Sequence, residues 1–253
     1  DGFGPEFPAV YTGDYLRSAD ILHINNEVPF APVCQQTHEQ LDQLVFCSKE
    51  KYIELLKAID TSVVEIDGDH FQDFGDEAVD FTMNLYEREN LPTYGGGRTL
   101  AEAQEPVLLE HNGNRFAFLG CNGKEEGYAA ASATKPGAAH CDYPLMEQKI
   151  RSLKDQGYQV IVTLQHIEYY KVKPNDQMMD EYGRLADAGA VIVSGSQSHM
   201  PMAFNLSADR VIHYGLGNLF FDQAYFLPET TEATIDRYIF YDNRLLGVEV
   251  ATI

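Results

Sequence analysis

The chain is poor in cations. Its 253 residues carry 18 Lys and Arg against 39 Asp and Glu, a formal net charge of -21. So acidic a surface repels phosphate backbones and anionic bilayers, which excludes nucleic acid and anionic membrane surfaces as partners. It also disfavours a long polyanion unless cations lie between. No apolar run approaches the roughly 20 residues that cross a bilayer, so no membrane-spanning segment is expected. No signal peptide, internal repeat or low-complexity tract is visible. The chain starts at Asp1 rather than Met, which marks a processed or partial product. Cysteine is scarce as well. Cys34, Cys47, Cys121 and Cys141 form no Cys-x-x-Cys pair and have no metal-finger spacing. They fall as two local pairs in loop-like stretches. We read them as disulfides Cys34–Cys47 and Cys121–Cys141, although four cysteines permit other pairings. Disulfides place the chain in an oxidising, extracytoplasmic compartment: cell surface, periplasm or medium.

Hydrophobic residues make up 44% of the chain, enough for a folded core rather than a disordered segment. Strand-like runs stand at Asp20 to Ile24, Ser62 to Ile66, Gln159 to Leu164 and Ala190 to Val193. Helical periodicity covers Glu39 to Ile59, Glu77 to Glu89, Leu145 to Gln156 and Asp176 to Ala188. Asn112-Gly113 between two alternating runs predicts a hairpin, because both residues tolerate positive φ. A second hairpin joins Arg237 to Tyr241 with Leu245 to Ala251. This pattern predicts one α/β domain over residues 1–253 with a mixed central sheet, residues 224–253 being its C-terminal hairpin.

Two short turns follow strand-like runs: Gly68-Asp69-His70 and Gly195-Ser196-Gln197-Ser198-His199. In an open α/β sheet the carboxyl ends of the strands face one crevice. On this reading the crevice collects Asn25, Glu27, Asp67, Asp69, His70 and Asp73. It also receives Glu168, Gln197, His199 and Asn218. Carboxylates and imidazoles suit a divalent ion such as Mn, Mg, Ca or Zn. The remaining histidines His23, His38, His111 and His140 read as surface or packing residues.

The segment Val64 to Gly75, with Asp67-Gly68-Asp69-His70-Phe71-Gln72-Asp73-Phe74-Gly75, resembles the Asn-Asn-His-x-x-Asp-x-Gly signature of bacterial capsule-synthesis, poly-γ-glutamate (CapA-type) proteins. Further likenesses run in the same order. They are Ala19-Asp20 with Asn25-Asn26-Glu27, Tyr94 to Ala103 with Pro106, Glu168-Tyr169, Gly195 to His199, and Tyr214 to Asp222. The likeness covers residues 19–223. It implies a layered α/β sandwich similar to calcineurin-like metallophosphoesterases, with Glu27, Asp69 and His199 as metal ligands. His70 would be the catalytic proton donor or oxyanion stabiliser. It implies a role in making a capsule or other surface polymer, with an anionic or polar polymer as partner. Three departures stand out. No strand ending in Gly-Asp precedes Ala19, Gly13-Asp14 being its one candidate. Leu164 falls where the family's His-Trp-Gly begins. Gln197 replaces a histidine. These departures weigh a metal-dependent hydrolase against a non-catalytic polymer-binding or structural protein.

Overall fold

The carboxyl end of one short parallel sheet carries the Gly68-Asp69-His70 turn, and a separate, larger sheet carries the Gly195 to His199 turn. The computed structural model describes residues 3–35, 44–124, 129–221 and 223–253. Its chain divides into two compact units: Asp1–Val107 with Glu125–His140, and Leu108–Lys124 with Cys141–Ile253.

In the first unit β1 (Leu22–Asn25), β4 (Thr61–Glu65) and β5 (Thr93–Tyr94) form a parallel sheet in the order β1-β4-β5. Val63, Val64 and Ile66 are fully buried, as expected of a central parallel strand covered on both faces. The helix Gly75–Arg88 buries Val79, Met83 and Tyr86 at helical spacing, and they pack in one cluster with Val64 and Ile66. Burying each such side chain stabilises the unit by about 1.5–3 kcal/mol. Gly75 opens the helix with φ +76°, a conformation that glycine adopts without strain. Two small pairings complete the unit. β2 (Phe30–Ala31) runs parallel to β3 (Ser48–Lys49), and β6 (Gly96–Gly97) runs antiparallel to β9 (Gly137–Ala138).

The helix expected over Glu39 to Ile59 is not continuous. Residues 36–43 lie outside the described residues. Beyond them Ser48 N–H donates to Pro29 O at 2.8 Å and Cys47 is bridged to Cys34, so this stretch is strand. Helix begins only at Ile53–Ala58, after a 3-10 turn at Glu50–Tyr52. Gly13-Asp14 does not close a strand. These residues open a short helix, Gly13–Arg17, where Asp14 pairs with Arg17. Among the described residues no strand precedes Leu22.

In the second unit β7 (Val107–His111), β8 (Asn114–Asn122), β10 (Gln159–Gln165), β11 (Ile192–Gly195), β12 (Phe204–Leu206) and β13 (Val211–His213) make a mixed sheet. Its order is β12-β13-β11-β10-β8-β7. β8, β10, β11 and β13 are parallel, and β12 is antiparallel to β13. The Asn112-Gly113 turn has φ 49° and +79°, as the hairpin reading requires. The helix Tyr143–Asp155 starts where Asp142 accepts from Leu145 N–H, with Pro144 in its first turn. The helix Asp176–Ala188 is capped by Asn175 and ends at Gly189, φ 124°. Ile150, Tyr182 and Leu185 from these helices pack on Val160, Val162 and Leu164 of β10. The hairpin β14 (Thr234–Tyr241) and β15 (Arg244–Thr252) turns at Asp242-Asn243, both with positive φ. Both disulfides expected from the sequence are present, one in each unit.

Candidate functional site

In the first unit the site is built where β4 ends. Glu65 closes β4, Asp67 follows it, and Asp69 stands in the turn beyond. All three are buried. Glycines make the approach possible. A Cβ on Gly68 would lie 2.5 Å from the Glu27 carbonyl oxygen and 2.8 Å from its Cγ. Glu27, Asp69 and His70 each bring one ligand atom to within 4.8 Å of the others. Asp73 braces the imidazole: His70 Nδ1 donates to Asp73 Oδ2 at 2.7 Å. The same oxygen accepts from Phe46 N–H at 2.8 Å, and the Phe46 ring meets His70 edge-on, 5.0 Å between centroids. His70 Nε2 is thereby turned to the acidic side, 4.0 Å from Asp69 Oδ2.

Burial works against a charged His70, yet its pKa rises to about 9. The bond to Asp73 and the charges of Glu27, Asp69 and Asp73 outweigh desolvation. Burial, then the charge and hydrogen bond of Glu65, holds the Asp67 carboxyl well above the usual carboxylate range. His23 Nε2 stands 3.4 Å from Glu65 Oε2 and 2.7 Å from the Tyr94 hydroxyl. Asn25 ends β1, and its buried Nδ2 has no hydrogen-bond partner among the described residues. Two carboxylates that converge beside an imidazole suit an oxygen-preferring divalent cation.

The second unit holds the other predicted site residues. Pairing of Leu164 with Gly195 and of Gln165 with Asn122 aligns the carboxyl ends of β8, β10 and β11. Just beyond them Glu168 Oε1 accepts from Lys124 Nζ at 3.1 Å and from Gln197 Nε2 at 3.3 Å. Gln197 therefore serves as a donor to a carboxylate. His199 is buried, and its Nδ1 faces Asn218 Oδ1 at 2.9 Å. Asn218 Nδ2 donates to Thr230 O and Gln223 Oε1, both at 3.4 Å, which sets the amide's orientation. Oδ1 then accepts, so His199 Nδ1 carries a hydrogen. His166, close to the position where the family's His-Trp-Gly is expected, is bonded instead to Glu181. Asp222 lies outside the described residues.

The ten predicted residues thus resolve as two groups. Asn25, Glu27, Asp67, Asp69, His70 and Asp73 belong to one unit, and Glu168, Gln197, His199 and Asn218 to the other. Comparison with known proteins identifies the architecture. The family described as bacterial capsule synthesis protein PGA_cap matches residues 3–223. The chain belongs to this family. The PGA_cap match starts well before Ala19 and takes in the short helix at Gly13–Arg17. Among its relatives, the capsule biosynthesis protein CapA of Bacillus anthracis is 24% identical over 95% of the chain. The PGA biosynthesis protein CapA of Bacillus subtilis (strain 168) is 26% identical over 96%. The chain spans 59% and 63% of these relatives' own lengths. A putative 5′-nucleotidase from Staphylococcus aureus shares the fold over 94% of the chain and 46% of its own, with a TM-score of 0.57 at 10% identity. Sulfate thiohydrolase SoxB from Thermus thermophilus does so over 80% and 34%, with a TM-score of 0.52 at 9% identity. The PGA_cap chain thus has a metallophosphoesterase-like α/β fold.

Sequence reasoning missed three participants. Glu65 was legible, since it continues the alternation of Asp67 and Asp69. His23 and Lys124 gave no signal, because their partners are 42 and 44 residues away.

Proposed function

We propose that this chain works outside the cytoplasm in making or processing a capsule-type surface polymer, as a divalent-cation-dependent hydrolase. The convergence of Glu27, Asp69 and His70, with Asp73 behind the imidazole, carries the reading. Glu27 and Asp69 would hold the cation. A bound cation supplies Lewis-acid polarisation of a phosphoryl or carbonyl oxygen. His70 would hold a proton at Nε2 for the leaving group, standing beside the cation rather than on it. Asp73 orients the ring through Nδ1. Paired cysteines support the compartment, and the capsule-synthesis family supports the polymer.

The test separates binding from turnover. Mn²⁺ content and p-nitrophenyl phosphate hydrolysis are measured for the wild type, Glu27→Gln, Asp69→Asn and His70→Ala. The carboxylate variants should lose metal and activity together. His70→Ala should keep metal and lose at least about a hundredfold in kcat, the scale of general acid–base catalysis. If no metal binds at millimolar concentration, hydrolysis by this route is untenable.

A second reading rests on Gln197 and Lys124. An amide stands where an imidazole ligand is usual, and a lysine neutralises Glu168. Those contacts favour a polymer-binding protein that retains the fold without turnover. Metal retained with no hydrolysis of phosphoester or amide substrates would select it.

A further inference from the structure

In the second unit His199 has one engaged ring nitrogen, and the choice of nitrogen is made by residues far along the chain. The ring packs beside Tyr170 and Phe221, 6.0 and 5.8 Å between centroids. Nδ1 faces Asn218 Oδ1 at 2.9 Å, and Nε2 makes no hydrogen bond among the described residues. An asparagine amide fits its place either way round. Turned over, Asn218 would offer its NH2 to Nδ1, and a neutral ring would then carry its hydrogen on Nε2. Whatever forbids that turn also sets the ring. Two acceptors face Asn218 Nδ2 at 3.4 Å, Gln223 Oε1 and Thr230 O. Gln223 has an amide of its own that can offer either end, so it follows Asn218. A backbone carbonyl only accepts, so Thr230 O admits a single orientation.

Thr230 is itself firmly placed. It is fully buried and closes the 3-10 turn Pro228–Thr231. Its N–H and its hydroxyl both donate to Leu227 O, at 3.0 and 2.7 Å. The residues leading to Asn218 lie along those that follow the turn. Thr234 N–H donates to Leu216 O at 2.7 Å, and Gly217 pairs antiparallel with Ala233. A Cβ on Gly217 would stand 2.6 Å from Glu232 O, so glycine permits this approach. Thr230 lies beyond residues 3–223, the span that the family matches. We propose that the Thr230 carbonyl, acting through Asn218, keeps the His199 hydrogen on Nδ1 and reserves Nε2 for a ligand. Asn218 and Thr230 are positioning residues on this view. Imidazoles that ligate metal ions usually donate their other N–H to a fixed acceptor, so the arrangement suits a divalent cation at Nε2. Its bearing on the proposed hydrolase rests on that reading, whereas the state of the ring does not.

Ring-nitrogen NMR of the full chain in EDTA, at a pH where the imidazole is neutral, tests the proposal. The ring correlations of His199 report which nitrogen carries the hydrogen. The wild type should show the Nδ1–H form, which is the minor form of an unconstrained imidazole. Gln223→Ala should keep it, because Thr230 O still orients the amide. Asn218→Asp should keep it too, since a carboxylate accepts from Nδ1–H. Asn218→Leu should move the tautomer ratio toward Nε2–H by about three- to tenfold, the worth of one hydrogen bond. A general disturbance of the loop would not spare Asn218→Asp while shifting Asn218→Leu. Three results would overturn the proposal: a wild-type ring in the Nε2–H form, an unchanged ratio in Asn218→Leu, or a shift in Gln223→Ala as large as that in Asn218→Leu. The metal and phosphatase assays score the hydrolase separately. The expected tautomers without metal uptake would sink only the hydrolase. Metal uptake and turnover with a wild-type Nε2–H ring would sink only this positioning role.

Discussion

Gly68→Ala is a one-carbon test of the Glu27–Asp69–His70 arrangement. The added Cβ would stand 2.5 Å from Glu27 O, 2.8 Å from its Cα and 2.8 Å from its Cγ. Two of these are backbone atoms, so no rotamer change relieves the contact. Restoring an ordinary separation of about 3.4 Å requires Glu27 or the turn to move by nearly 1 Å, whereas ligand distances tolerate roughly 0.2 Å. Gly68 does not have positive φ, so alanine brings no backbone strain of its own. Overpacking should cost about 1–3 kcal/mol in stability. Mn²⁺ affinity should fall at least about tenfold, which corresponds to 1.4 kcal/mol. Gly75→Ala is the comparator. Its φ of +76° makes alanine strained, yet nothing lies within 4 Å of the new Cβ. That variant should lose stability by about 1 kcal/mol and keep its metal affinity. Calorimetric Mn²⁺ titration beside denaturant unfolding reads both quantities. A folded Gly68→Ala protein that binds Mn²⁺ like the wild type, or a Gly75→Ala protein that loses as much, would refute the reasoning.

Other expectations follow from single contacts. In metal-free protein the His70 imidazole should titrate near 9, and Asp73→Asn should lower that midpoint in ring-nitrogen NMR. Since the folded pKa is raised from 6.5, His70 contributes stability in full below about 6.5. That contribution fades as pH rises through about 9, so metal-free protein should weaken across this window, and less so in Asp73→Asn. His213→Ala should destabilise the chain by about 3 kcal/mol in urea. His213 Nδ1 meets buried Asp236 at 2.6 Å, and the Tyr238 hydroxyl at 2.8 Å offsets only part of the loss. A cost under about 1 kcal/mol would show that Asp236 is not held as an ion pair. Replacing Cys121 and Cys141 together by serine should cost about 3 kcal/mol for a bridge of sequence separation 20, read as a lower unfolding midpoint.

Much of the fold was legible because its signals are local. Asn112-Gly113 and Gly189 demand conformations that few residues adopt, and both occur where read. Asp176–Ala188 has the predicted bounds because Asn175 caps one end and Gly189 terminates the other. The stretch from Glu39 failed because its apolar spacing is helical while its pairing is not. Ser48 finds Pro29 and Cys47 finds Cys34, and tertiary partners override periodicity there. At the candidate site the ligand types were legible from the turn Gly68-Asp69-His70. What holds them was not. Gly68 against Glu27 and Phe46 N–H on Asp73 are contacts across 41 and 27 residues, and no local pattern encodes them. Glu168 pairs with Lys124, 44 residues away, and no local pattern encodes that contact either.

Each disulfide joins a cysteine to the next one along the chain, and neither crosses from one unit to the other. That connectivity sets an order of events. Were the polypeptide to emerge amino end first into an oxidising space, as the proposed compartment has it, Cys34 would meet Cys47 before Cys121 follows, and Cys121 would then meet Cys141. Among these four cysteines, correct pairing needs no shuffling of a wrong bond, so this stretch would pair correctly with a simple thiol oxidant.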